Sequence, residues 1–128
     1  MDLTQEDYIK SKTNRLPESE VNRIISLTSE DDMMLEITDL LKETEIVPTP
    51  GRYYTFIYLA KTPRIEYDQF PLVACTNVQK WGFRGLNYHW GEFRNYTWEE
   101  IPGYLHVVYP EELRILRSIP YQNFKINN

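Results

Sequence analysis

The chain has 128 residues, of which 41% are hydrophobic, 26% charged and 14% aromatic, with a net charge of −5. That length suits one compact domain with a real core, no run reaches the ~18 apolar residues of a membrane span, and the acidic start has no apolar core of a secretory signal. A single cysteine excludes an internal disulfide framework and fits synthesis in a reducing cytoplasm, while the negative balance disfavours a general nucleic-acid binder, which needs clustered Lys and Arg.

The average hides a division. Residues 1–48 hold 12 acidic and 5 basic side chains, net −7, and one aromatic ring, Tyr8. Residues 49–128 hold 7 acidic and 9 basic side chains, net +2, and every other ring. The change falls at Pro48, Pro50 and Gly51, residue types that punctuate a chain. It predicts an acidic helical segment over 1–48 followed by an aromatic β-domain over 49–128.

Helical spacing is clear from residue 18. Val21, Ile24 and Ile25 fall at i, i+3, i+4, and Met33, Ile37, Leu40 and Leu41 at i, i+4, i+7, i+8. Ser29 with Asp32 resembles a capping box, with Asp in place of Glu. Helices are predicted over about 18–27 and 30–43. Helices this short are marginal alone, so their apolar stripes need a cover. Either the chain's own β-domain supplies it, or another subunit does, with Met33, Ile37 and Leu41 as the contact residues. Residues 1–16 show no clean periodicity and are candidates for ordering within an assembly.

Beyond Gly51, "RYYTFIYLA" has strong β-propensity and carries bulk on both faces, Tyr54, Phe56 and Tyr58 on one and Tyr53, Ile57 and Leu59 on the other. Both faces are therefore expected to be covered. Residues 61–71 read as a long loop, with Pro63 and Pro71 kept out of central pairing. "LVACTNV" is a second strand, "QKWG" a turn, and "FRGLNYHW" a third strand in which Gly85 marks a bulge or a close backbone approach. Tyr104–Tyr109 is a fourth. Pro110, with Glu111 and Glu112 behind it, opens a short helix that Pro120 stops. The pattern predicts an α+β chain: amphipathic helices, then a small SH3-like barrel with a C-terminal helical turn, preferred to an immunoglobulin sandwich of about seven strands.

Reactive constellations are missing from the spacing. Cys75 sits mid-strand beside Ala74 and reads as a buried small hydrophobe. His89 and His106 are isolated from any metal-ligand pattern. The adjacent pairs Glu99–Glu100 and Glu111–Glu112 have diverging side chains, and the five glycines form no phosphate loop. Neither catalysis, a cofactor nor a metal is expected. Single-strand nucleic-acid binding is the stronger rival, with Trp81, Phe83, Tyr88, Trp90 and Tyr96 as stacking rings beside Lys80, Arg84 and Arg94. Against it, about half of those rings are needed for a core, and Glu92, Glu99 and Glu100 stand in the same stretch.

"YDQFPLV" (67–73) followed by "GFRGLNYHW" (82–90) resembles a pattern of small virion proteins of T-even-like tailed bacteriophages, with the likeness running over roughly Arg52–Phe124. The resemblance implies a structural component of the tail, baseplate, neck or head, present in several copies in the virion and contacting other virion proteins, and it carries over no catalytic residue. In this pattern Asp68 and Pro71 shape the turn into a strand. Gly85 lets two strands approach, and Asn87 and His89 are placed to hydrogen-bond the 61–71 loop. Rings left on the surface, Trp81, Trp90 and Trp98, with Arg84 and Arg94, become interface anchors. Two alternatives stay open: a nucleic-acid-binding barrel at packaged DNA, and a host-directed phage protein whose acidic helices mimic DNA or occupy a host enzyme.

Overall fold

The structure, a computed structural model, describes residues 15–59 and 69–119. Helix α1 (Glu18–Ile25) and helix α2 (Glu30–Leu40) lead into strands β1 (Thr44–Glu45), β2 (Tyr53–Thr55), β3 (Leu72–Val78), β4 (Gly82–Asn87) and β5 (Glu92–Thr97). A 3-10 turn at Trp98–Glu100, strand β6 (Leu105–Val108), a second such turn at Pro110–Glu112 and helix α3 (Leu113–Arg117) follow. Ser29 caps α2 as expected, its hydroxyl accepting the Asp32 N–H at 3.3 Å. Both helices end two or three residues before their expected limits.

The strands form one antiparallel sheet in the order β1-β6-β2-β3-β4-β5. The α+β class is as expected, but the sheet is open, with β1 and β5 at its edges, rather than closed into an SH3-like barrel. Strand length explains the difference. β1 has two residues and β2 three, so neither runs far enough to carry hydrogen bonding round to β5. The sheet does bend: beyond β2 the Leu59 N–H reaches the Glu100 carbonyl at 2.8 Å, just past the end of β5.

Both faces are covered, by different means. Tyr54, Phe56, Tyr58, Val73, Cys75, Phe83, Tyr96, Leu105 and Val107 fill the concave face. Its centre is aromatic: the Phe56 ring lies 5.8 Å from Phe83 and 5.5 Å from Tyr96, and Phe83 stacks on Tyr96 at 5.2 Å. Edge-to-face and stacked pairs of this kind add roughly 0.5–1.5 kcal/mol each beyond burial. The opposite face packs under the helices, where Leu16, Val21, Ile24, Met33, Met34, Ile37 and Leu41 meet Phe70, Leu72, Tyr88, Val108, Leu113, Leu116 and Ile119. The shift in composition at Pro48 is thus crossed by a shared core, and Thr44–Glu45 joins the sheet as an edge strand.

Gly85 is a close-approach glycine. A Cβ there would lie 2.3 Å from Val73 Cγ1 and 2.8 Å from the Ala74 carbonyl oxygen. The bulge sits across from it, in β3 between Cys75 and Asn77.

Candidate protein-docking surface

The helical contact residues are not on a surface. Met33, Ile37 and Leu41 are buried in the chain's own core, so this chain's sheet, and no second subunit, covers the stripe. A period of 3.6 reports that a face is apolar without saying what covers it.

The rings and cations divide among several environments. Trp81 is exposed, at 46% of its surface. Arg84 lies over the Phe93 ring at 5.1 Å, and Arg94 over Trp90 at 5.4 Å while pairing with Glu92 at 2.8 Å. Trp98 packs against Phe83, with ring centres 6.0 Å apart, and donates its indole N–H to the Lys80 carbonyl at 2.9 Å. Phe83, Tyr88 and Tyr96 are buried. The proposed stacking platform is therefore dismembered: three of its five rings are core, and both of its arginines rest on rings of the same chain.

The motif residues serve local structure. Asn87 is buried and its amide is used at both ends: Oδ1 accepts the N–H groups of His89 (2.9 Å) and Trp90 (3.1 Å), and Nδ2 donates to the Tyr96 hydroxyl at 2.9 Å. It closes the β4–β5 hairpin, because an Asx turn satisfies two successive backbone donors at once. Pro71 and His89 are buried. Asp68 and the loop segment that His89 was expected to hold lie outside the described residues.

A different surface comes together where β1 and β6 part. Ile46, Val47, Trp98, Ile101 and Gly103 line a groove of about 310 Å³. Ile46 is 75% exposed and Val47 56%, and Tyr104, next in the chain to Gly103, is also exposed. Of these only Trp98 was singled out in the sequence. The available signal was slight: "EIVPTP" sets two β-branched residues before a proline, in step with neither helix nor strand.

A polar brace beneath the groove fixes the chain that carries Ile46 and Val47. Glu45 accepts the Tyr54 hydroxyl at 2.6 Å through Oε2, Arg52 Nη1 at 2.6 Å through Oε1, and the Thr49 hydroxyl at 3.3 Å. The Tyr54 oxygen accepts the Thr49 N–H at 2.7 Å. Burial, and then the Glu45 carboxylate, push the Tyr54 hydroxyl up to about 12, so it stays a donor throughout the neutral range. A groove held in this way is preformed, which lowers the ordering cost of binding.

Cys75 is not set up as a nucleophile. Burial, followed by the nearby Glu45 charge, pushes the Cys75 thiol up to about 11, opposite to what a reactive thiolate requires. Among the described residues no three His, Cys, Asp or Glu side chains gather where they could hold a metal ion, and no helix is long and apolar enough to cross a membrane. No family model, curated protein or solved structure matches the chain.

Proposed function

We propose that the protein is an assembly module that acts through protein–protein contacts and that it does so in the virion of a tailed bacteriophage, without catalytic activity. The observation that carries the first part is the groove of Ile46, Val47, Trp98, Ile101 and Gly103. It combines exposed β-branched side chains with a tryptophan, the residue types that fill and anchor partner pockets, on a braced segment. The phage setting rests on the resemblance of residues 67–73 and 82–90.

Nucleic acid fits this surface poorly. Affinity for a strand comes mostly from phosphate neutralisation, yet Arg94 is paired with Glu92 and Arg52 with Glu45.

Mass spectrometry of purified particles tests the reading, using phage that carry either the unchanged chain or Val47→Glu. The unchanged chain should be recovered in stoichiometric amount, and the charged variant should fold but be lost from the particle. Absence of the unchanged chain sinks the virion reading. Full incorporation of the variant removes the groove from it. Saturable, steeply salt-dependent binding of single-stranded DNA would favour a nucleic-acid role instead.

A further inference from the structure

An edge strand presents unpaired backbone groups, and its pairing on the inner side decides which ones. The Trp98 N–H donates to the Trp81 carbonyl at 3.2 Å, and β4 and β5 run in the same register, with Gly82 opposite Thr97 and Phe83 opposite Tyr96. Trp81 and Trp98 are therefore a hydrogen-bonded pair, and such pairs alternate along an antiparallel ladder. Tyr96, Arg94 and Glu92 turn their backbone groups toward β4. Phe93 and Asn95 turn theirs to the open edge. The β3 side gives the same answer independently. The Tyr88 N–H donates to the Leu72 carbonyl at 2.9 Å, which turns Leu86 and Tyr88 toward β3 and leaves Gly85 and Asn87 facing β5. Among the described residues no strand pairs with β5 on its outer side.

We infer that a second copy of this chain pairs there, β5 against β5, antiparallel and centred on Phe93. Charge order selects that occupant. Glu92-Phe93-Arg94 is its own complement when reversed: with Phe93 opposite Phe93 of the second copy, Glu92 meets Arg94 at both ends. Glu92 and Arg94 already pair within the strand at 2.8 Å, and across the two-fold axis the same two groups meet at both ends. Phe93, 51% exposed and under the Arg84 guanidinium, meets its own copy as a cross-strand aromatic pair. Neighbouring registers lack this match. Centring on Arg94 sets Arg94 against Arg94, and centring on Asn95 sets Glu92 against Trp98.

Edge charges usually discourage pairing; here their order specifies one register. The contact is isologous and closes as a dimer that joins two sheets edge to edge. A single pair of short strands makes a small contact, which is expected to be weak and reversible. The inference deepens the assembly reading and rests on it only for the use of the dimer. Loss of groove docking would leave self-pairing measurable, and the reverse holds.

Sedimentation velocity on the full chain tests it. The unchanged protein shows a concentration-dependent monomer–dimer equilibrium. Asn95→Pro removes an outward N–H and spares the bonds to β4, since proline is tolerated where an edge N–H faces solvent; it abolishes the dimer with the melting transition retained. Glu92→Arg and Arg94→Glu each place like charges opposite one another and weaken association about tenfold, whereas an equimolar mixture of the two variants recovers it as a heterodimer. A chain that stays monomeric up to about 1 mM overturns the inference. So does a dimer that survives Asn95→Pro, or one indifferent to both charge exchanges.

Discussion

The Arg15 guanidinium closes on the Glu112 carboxylate with two bonds, Nη2 to Oε1 at 2.6 Å and Nε to Oε2 at 3.0 Å. Glu112 is buried, and Oε1 also accepts the Tyr109 N–H at 2.8 Å. Arg15 further donates to the Val107 carbonyl at 3.0 Å and lies 4.6 Å over the Tyr109 ring. One side chain from the start of the described fold thus ties down the end of β6 and the turn into α3. Removing it leaves a buried carboxylate without its cation. Arg15→Met should cost about 3–5 kcal/mol in urea unfolding, and Arg15→Met with Glu112→Leu should recover most of the loss, because the penalty lies in the unpaired charge rather than the missing pair.

The charge split and the ring asymmetry alone suggest that residues 52–124 fold without the first 48. Packing suggests the reverse. Seven of the fourteen buried residues in the cluster under the helices come from the first 48 positions, and each is worth roughly 1.5–3 kcal/mol of burial. A chain starting at residue 49 should therefore bind a hydrophobic dye and lack a cooperative thermal transition. A sharp transition without the helices would show that the aromatic face of the sheet suffices.

Legibility followed the range of the forces involved. Ser29 capping, the helical stripes around Ile24 and Ile37, and the strand at Leu72–Val78 are set by neighbours within a few residues, and they were readable. Two-sided covering of the sheet followed from bulk at both parities around Tyr54. The open sheet was not readable, because its edges depend on how few residues β1 and β2 keep in register. The partner of the Met33 stripe was equally hidden, as a covered face and a docking face have the same pattern. The groove at Ile46 and Val47 and the charge order of β5 became meaningful only once β1 and β5 were known to be edges.

Gly85 gives a sharp steric prediction. Its missing Cβ would fall 2.3 Å from Val73 Cγ1 and 2.8 Å from the Ala74 carbonyl oxygen, the second a backbone atom in the paired strand. Gly85→Ala should destabilise the protein by at least about 1–3 kcal/mol, the ordinary range for overpacking. Gly103, with nothing within 4 Å of a built Cβ, is the control: Gly103→Ala should change stability little.

The Tyr54–Glu45 bond predicts a loss of stability at high pH, with a sign that can be worked out. In the unfolded chain the hydroxyl ionises near its ordinary 10; in the fold it is pushed up to about 12, first by burial and then by the Glu45 carboxylate at 2.6 Å. Between these values the folded state holds the proton and the unfolded state has released it, so raising the pH favours unfolding. The contribution is complete below pH 10, falls through 10 to 12 and is gone above, and a shift of this size corresponds to roughly 2–3 kcal/mol. Burial also raises the Tyr58 and Tyr88 hydroxyls, so the total fall is larger than the share of Tyr54. Tyr54→Phe isolates that share. It gives up the bonds to Glu45 and Thr49 and should lower stability at neutral pH by about 1 kcal/mol. Its urea-unfolding free energy should then decline less steeply from pH 9 to 12 than that of the unchanged chain, and the two curves should cross, because the roughly 2–3 kcal/mol that the unchanged chain loses exceeds its advantage of about 1 kcal/mol at neutral pH. Parallel curves would mean that the Tyr54 hydroxyl ionises equally well in both states and that the brace beneath the groove does not hold its proton.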